Sequence, residues 1–507
     1  MTSSTSSMLL GAIILLALLS FSARFLSRHK YPPGPRRLPF IENLLDVPRG
    51  FGAVEYSQWT IKYGPFSYFR VFGRHFYILN SPIDATELFE KRSAIYSSRP
   101  HLVMAGTLCG REKYPLFLPY GKRFRETRRL MRSYMGFQNA NKHWHVQEEE
   151  TSKFLKRLLY SPERFMEHIK GLSAAVILKV IYGIQINDNN DRFVELADAL
   201  SRITTHASKP GQWLVDSFPR LQYLPTWFPG ASFKKWAQKA RSESLAFTQM
   251  PFDFGKGRAA CGDDTTSFVA KNLLVDSARD KESEEIIMYS AAGLYAGGTD
   301  TIIAYTSLFF LMMTIHPDIQ RRAQEEIDKI IGENRIPNMS DRNSLPFIDC
   351  VLKELHRYNP PIPLVPHAPI EDDVYNGYFV PKGSWVMANI WAMAHDPAVY
   401  PNPDKFDPDR FAQSFQPAQP DPRSLTFGFG RRICPGQLFA DASVFLTISR
   451  VLWAFDIYPE LDAGGIQLIP EVGFTNAHTS HPKPFKCRVV PRSSGRVAVI
   501  DEIITKL

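Results

Sequence analysis

The longest uninterrupted helical pattern in the chain runs from Glu284 to His316 and is ended by Pro317. At about 1.5 Å per residue, such a helix is long enough to traverse a whole domain. Its middle is unusual, because Gly293, Gly297 and Gly298 each weaken a helix by about 1 kcal/mol relative to alanine. That cost has a packing or a ligand reason. Directly after the glycines come Asp300 and Thr301. The Thr301 hydroxyl can compete for the Gly297 carbonyl four residues back, opening the helix and leaving a groove lined by a hydroxyl and a carboxylate. A close helix crossing at the glycine pair is the alternative.

Lys122 to Met135 is a second clear helix, on which Phe124, Thr127, Arg128 and Met131 share one face and Lys122, Arg125, Arg129 and Arg132 another. Arg128 therefore sits on the inward face, where a guanidinium needs an anion and the sequence offers no acidic partner. A snorkelling arginine at the core edge is the other reading. Residues 140 to 207 form successive amphipathic helices. Further helices are expected from Ser81-Pro82 to about Lys91, from Leu345 to Tyr358 and from Gln437 to Phe455. On the helix near Leu345, Glu354 and Arg357 stand three residues apart and can pair.

Strand patterns are fewer and shorter. Phe66 to Phe72 and His75 to Asn80 predict a hairpin around Gly73 and Arg74, and Asp373 to Asn389 predicts paired strands. The tail after Phe455 reads as strands with a turn at Gly473 to His481. Three stretches carry no period. Ser97 to Pro119 is a candidate substrate lid. Gly211 to Gly230 is aromatic and loop-rich, as a membrane interface, a substrate entrance or packing against the next helix would require. Phe252 to Asp264 reads as an exposed connection.

At the start of the chain, Met1 to Ala23 is free of charge and Met8 to Leu26 is almost wholly apolar, near the lower limit for a spanning helix. Positive charge follows the run, at Arg24, Arg28 and Lys30, rather than preceding it. A retained signal-anchor over residues 1–30 is expected over a cleaved signal peptide, with the body facing the cytosol. Residues 31–39, with Pro32, Pro33, Pro35 and Pro39, would form a stiff spacer, leaving 40–507 as the body.

Composition changes this picture only modestly. With 507 residues and 44% hydrophobic content, the chain can bury one large core or two smaller ones. Its five cysteines (Cys109, Cys261, Cys350, Cys434, Cys487) are scattered, without CxxC spacing, which argues against a disulfide framework or a zinc site. The net charge of +9 comes without a basic tract or a nucleic-acid module, so an anionic membrane surface or an acidic protein partner accounts for it better than nucleic acid does.

The candidate chemistry centres on Phe427, Gly430, Arg432, Cys434 and Gly436, where a single cysteine lies in a glycine-bracketed loop directly before an apolar helix. A thiolate ligand needs free backbone N–H groups, a positive end nearby and shelter from water. The glycines, the helix N-terminus and Phe427 can provide these. A buried structural cysteine is the plainer reading.

These five positions fit the FxxGxRxCxG pattern, and the chain resembles the cytochrome P450 family of haem-thiolate monooxygenases. Gly297, Gly298, Asp300 and Thr301 match the family's [AG]Gx[DE]T[TS], with Ile302 departing at the last position. Arg128 matches the arginine of WxxxR, with Phe124 in place of tryptophan, which removes an indole N–H donor. Pro408 to Phe411 resembles the PERF segment. Through the stretches WLVDSFPRLQYLPTWFPG and AGGTDT, a closer likeness is to membrane-bound fungal members of natural-product pathways.

The resemblance implies a P450 fold, a single large domain that is mainly α with small β-sheets and an N-terminal membrane anchor. It implies haem b held by the Cys434 thiolate, with Arg128 and His367 on the propionates and Phe427, Gly430, Arg432 and Gly436 forming the cofactor loop. Asp300 and Thr301 would relay protons to dioxygen, and Glu354, Arg357 and Arg410 would brace the loop. Electrons would come from NADPH through a separate NADPH-cytochrome P450 reductase, with cytochrome b5 as a second donor, at the endoplasmic reticulum membrane. Met104, Leu108, Tyr295, Gly297, Ile362, Leu364, Val365 and Phe474 are candidates to line a pocket for a hydrophobic molecule, a terpenoid first and an aromatic or indolic scaffold second. A reductase-independent haem-thiolate isomerase and a non-catalytic haem sensor are the rival functions.

Overall fold

The computed structural model describes residues 29–186, 191–274, 280–412, 414, 416–417 and 419–506, so residues 1–28 of the anchor expected over 1–30 lie outside the described residues. The fold is mainly helical. Its principal helices are α1 (Lys122–Met135), α2 (Trp144–Tyr160), α3 (Phe165–Tyr182), α4 (Arg192–Ser208), α5 (Ser232–Cys261), α6 (Lys281–Ile315), α7 (Pro317–Ile330), α8 (Pro346–Tyr358), α9 (Gln437–Ala454) and α10 (Ser494–Lys506).

Helix α6 is the axis of the molecule. Its apolar residues on all sides, among them Leu294, Ile302, Leu308 and Met312, bury it in the largest core cluster against α3, α1 and α9. It is long and apolar enough to cross a bilayer, but 78% of its most apolar window is buried within the protein, as a core helix requires. Asp280 caps its start, with its side chain accepting from Ser283 N.

Strands β1 (Phe66–Val71) and β2 (Arg74–Leu79) form the expected antiparallel hairpin. Its two-residue turn falls on Phe72 and Gly73, both at positive φ (48° and 80°), one residue earlier than the sequence suggested. β3 (Leu364–His367), β4 (Asp373–Tyr375), β5 (Tyr378–Val380) and β6 (Trp385–Asn389) follow. Here the expectation was half right. β4 and β5 pair with each other, whereas β6 leaves them to lie between β2 and β3 in a four-stranded sheet of order β1-β2-β6-β3. β7 (Phe455–Leu461), β8 (Gln467–Leu468) and β9 (Cys487–Pro491) make the third sheet.

Four other expectations are corrected. Phe252 to Asp264 is not an exposed connection: α5 runs through Pro251 to Cys261, burying Phe252, Gly255 and Ala259, and a Cβ on Gly255 would lie 3.0 Å from the Tyr182 carbonyl of α3. The Ser97 to Pro119 stretch contains a π-helical turn, Val103–Leu108, seated under α4 and α5. The tail ends not in strands but in α10, packed on α2. Finally, the proline-rich segment expected as a spacer between anchor and body lies docked on the body. Pro33 O accepts from Tyr68 N at 3.0 Å, Tyr31 stacks on Tyr68 at 4.8 Å, and Gly34 approaches β1 so closely that a Cβ would overlap Tyr68 O.

Candidate active site

The cysteine loop is positioned by backbone contacts that glycine alone permits. Gly428 and Gly430 adopt positive φ (78° and 53°), and a Cβ on Gly430 would lie 2.1 Å from Phe89 O. Gly436, by contrast, has open space around it. Cys434 N donates to Phe427 O at 2.7 Å, which closes the loop, and the Phe427 ring lies 5.2 Å from His356 of α8. Half-buried Cys434 lies three residues ahead of α9, which begins at Gln437 after the N-cap Gly436. Burial pushes its thiol up from the ordinary value, while the Gly436 N–H and the Arg128 guanidinium pull it down. The donors for a thiolate are thus in place, and a coordinated cation would complete its ionisation.

Three guanidiniums converge at the cysteine loop, with Arg128 acting on the thiol and Arg99 and Arg432 clustered with it. Arg432 donates to Ser97 O (2.8 Å), Pro115 O (3.1 Å) and Leu118 O (2.5 Å), and lies 3.8 Å over the Phe124 ring. Phe124 thus supplies an aromatic face beneath Arg432 but no N–H donor. Arg128 donates to Ile433 O and Arg99 to Pro366 O. Arg432 is pushed down to about 8, by burial first and then by Arg99 and Arg128. Arg99 and Arg128 are each lowered to about 10, mainly by burial. None of the three has a carboxylate partner among the described residues, and Nε of both Arg99 and Arg128 lacks any hydrogen-bond partner. Clustered cations with orphaned donors need an anion.

His367, on β3, adjoins them. Its Nδ1 lies 2.8 Å from Tyr96 O, its ring stacks on Phe89 at 4.0 Å, and its Nε2 has no partner. Nδ1 must donate to that carbonyl, and burial, with Arg99 and Arg432, holds the ring well below its ordinary value, so Nε2 is bare and becomes a donor only if an anion set between it and these guanidiniums restores the proton. This donor set fits a group with two carboxylates whose metal reaches Cys434, as haem is. Arg99 was not anticipated from the sequence.

On α6, Thr301 Oγ1 donates to Gly297 O at 2.8 Å, as expected. The helix nevertheless stays α-helical from Lys281 to Ile315, so the bond does not open it. The three glycines divide between the two readings. A Cβ on Gly293 would meet Pro115 Cγ at 2.6 Å and one on Gly298 would meet Ile177 Cδ1 at 2.6 Å, whereas Gly297 has nothing within 4 Å. Asp300 Oδ1 accepts from Ser201 Oγ at 3.2 Å and faces His481 Nε2 at 3.1 Å. Burial raises this carboxyl, but His481, Thr479 and Ser201 outweigh it and hold the group below its usual range. The His481 contact was not foreseen.

Beneath the loop, Glu354 accepts from Arg357 Nε and Nη2, both at 2.8 Å, and from Arg410 Nε at 3.2 Å. All three side chains are buried, and the remaining guanidinium donors reach carbonyls of Ala394, Pro401 and Lys405.

The expected pocket lining separates into two groups. Ile362, Val365 and Phe474 keep partial exposure, and Gly297 faces open space. Tyr295 does not: it is wholly buried, stacked 4.6 Å from Phe247 of α5, with its hydroxyl donating to Phe193 O. Leu364 points to the sheet face opposite Val365, packing with Met387 and Ile78. Met104 is fully enclosed in a cluster with Ile203, Ala207 and Val215, and Leu108 packs at its edge.

Comparison with known proteins agrees with this geometry. The family model "Cytochrome P450" matches residues 32–485. The chain is 40% identical over 495 residues to cytochrome P450 monooxygenase claR of Ampulloclitocybe clavipes, covering 97% of this chain and 91% of that one. It is also 40% identical to cytochrome P450 monooxygenase 208 of Postia placenta, covering 97% and 96% of the two chains. Among solved structures, a zebra fish cytochrome P450 with abiraterone superposes with a TM-score of 0.71 at 22% identity, over 87% of this chain and 100% of that one, a likeness of fold.

Proposed function

The chain belongs to the cytochrome P450 family and is a monooxygenase of that family, and we propose that its substrate is a hydrophobic natural-product intermediate, a terpenoid. One observation carries the site assignment: a half-buried thiol just ahead of α9 feels the Arg128 guanidinium, which clusters with Arg99 and Arg432, and none of the three has a carboxylate partner among the described residues. Cys434 would hold haem iron through its thiolate, and Arg99, Arg128, Arg432 and His367 would hold the two propionates. When bound, the haem supplies dioxygen activation and insertion of one oxygen atom into a substrate C–H bond.

The chain's own residues do the rest. Ile362, Val365 and Phe474 offer an apolar wall to the substrate and exclude water. The space beside Gly297 leaves room next to the Thr301 hydroxyl, which with Asp300 passes protons into the pocket. The Glu354 brace fixes α8 against the segment preceding the cysteine loop, which holds the thiol in place. A P450 monooxygenase also needs a redox partner and dioxygen. Here an NADPH-cytochrome P450 reductase, seconded by cytochrome b5, would dock on the exposed basic face of α1, with the body tethered at the endoplasmic reticulum membrane by residues 1–30.

The test is incubation of the full-length protein with reductase, NADPH and a terpenoid panel under isotopically labelled dioxygen. One labelled oxygen atom in the product is expected. An isomerised product of unchanged mass, or turnover without NADPH, would overturn the reading.

A further inference from the structure

Asp300 is ionised by its surroundings, so it begins with no proton to pass on. Its Oδ1 accepts from Ser201 Oγ on α4 at 3.2 Å and faces His481 Nε2 at 3.1 Å. Against the upward push of burial, these partners and Thr479 keep the carboxyl below its ordinary range. At neutral pH such a group is a base. The serine and threonine hydroxyls are not acids at that pH either. Among the described residues, the titratable group hydrogen-bonded to Asp300 is His481.

His481 is built into its position. Its N–H donates to Thr475 Oγ1 at 3.0 Å and its carbonyl accepts from Thr475 N at 2.8 Å, pinning the turn before β9. The pinned turn sets the imidazole against α6. Its side chain keeps 25% of its surface exposed, so the ring can meet water while Nε2 faces the carboxylate. Histidine is also the side chain that ordinarily changes charge between about pH 5 and 8. The second imidazole that feels Asp300, His478, is pushed down to about 4, by burial first and by Arg111 and Arg99, and is therefore neutral at working pH.

We propose that His481 supplies the protons that Asp300 relays. The Nε2–H bond breaks as the proton moves to Asp300 Oδ1, leaving a neutral imidazole and a carboxylic acid. The acid releases that proton toward Thr301, which restores the carboxylate, and the bared Nε2, with Nδ1 keeping its hydrogen throughout, takes the next proton from water to restore the imidazolium. No electrons move, and the net change is one proton carried from solvent to the pocket. His481 acts through Asp300 and is a positioning residue. The inference rests on the relay reading of Asp300 given above.

The test uses the full-length haem protein with reductase, following NADPH oxidation without added substrate in light and heavy water from about pH 6 to about pH 9. Wild type is compared with Asp300→Asn, His481→Asn and His481→Arg. Both His481 variants should oxidise NADPH at least about tenfold more slowly, with a larger solvent isotope effect and without the wild-type pH break. His481→Arg retains a cation on Asp300 and should keep the wild-type melting temperature, which separates proton supply from folding. Wild-type rate, isotope effect and pH profile in both His481 variants would overturn the proposal. Asp300→Asn decides the premise: a slow Asp300→Asn beside unchanged His481 variants removes His481 alone, whereas an unchanged Asp300→Asn removes the relay itself. A double-mutant cycle in melting, Asp300→Asn against His481→Asn, gives a readout without turnover. Coupling should be larger at about pH 6 than at about pH 8.5, and equal coupling at both would contradict a proton on His481.

Discussion

Thr301 and its neighbours show what single residues disclose about this site. The hydroxyl sits on the Gly297 carbonyl at 2.8 Å beside open space, so Thr301→Ala should leave the fold intact and raise the peroxide formed per NADPH. Thr301→Ser should retain coupling. Peroxide assay with reductase checks both, and a coupled Thr301→Ala would remove the residue from the relay. The match of Thr301 to Gly297 was legible because it is a four-residue helical relation. Tyr295 was misplaced although the same arithmetic excludes it: two residues before Gly297 is about 200° around the helix, on the side that packs α5. Leu364 fails in the same way under a period of two. Arg99 and His481 were not legible at all. Arg99 lies in a stretch without period, and His481 meets Asp300 across 181 residues, a separation no local pattern encodes.

At the scale of elements, the glycines of α6 make a sharp contrast. Gly293→Ala would drive a Cβ to 2.6 Å from Pro115 Cγ and should cost about 1–3 kcal/mol by overpacking. Gly297→Ala meets nothing within 4 Å and should raise helix stability by up to about 1 kcal/mol while narrowing the space beside Thr301. Chemical denaturation of the two variants checks the order, and equal effects would contradict it. The brace is a second element-scale test. Glu354 serves two buried arginines, so Glu354→Gln should destabilise by about 3–5 kcal/mol and loosen haem retention on gel filtration. The bounds of α1, α6, α8 and α9 followed from the 3.6 period to within a few residues, and α2 to α4 as one undivided run, whereas α5, α7 and α10 were not read. What the period missed was context: α5 continues through Pro251 because Phe252, Gly255 and Ala259 face α3, and β6 pairs with β2, more than 300 residues earlier in the chain.

For the whole molecule, the net charge of +9 is not spread evenly. Lys122, Arg125, Arg129 and Arg132 stand exposed on α1, on the helix whose inner face carries Arg128. If the reductase docks there, reversing Arg125, Arg129 and Arg132 to glutamate should raise the apparent KM for reductase several-fold and flatten its dependence on salt. Unchanged KM and salt dependence would move the docking face elsewhere. Dithionite-driven reduction should be unaffected, which isolates docking from haem binding.

All of this depends on a thiolate from Cys434 reaching haem iron, and one measurement addresses that directly. The reduced, carbon-monoxide-bound full-length protein should show the red-shifted Soret band of thiolate ligation, and Cys434→Ala should abolish it while the protein remains folded. An unshifted band in correctly folded wild type, or a shifted band that survives in Cys434→Ala, would contradict the account.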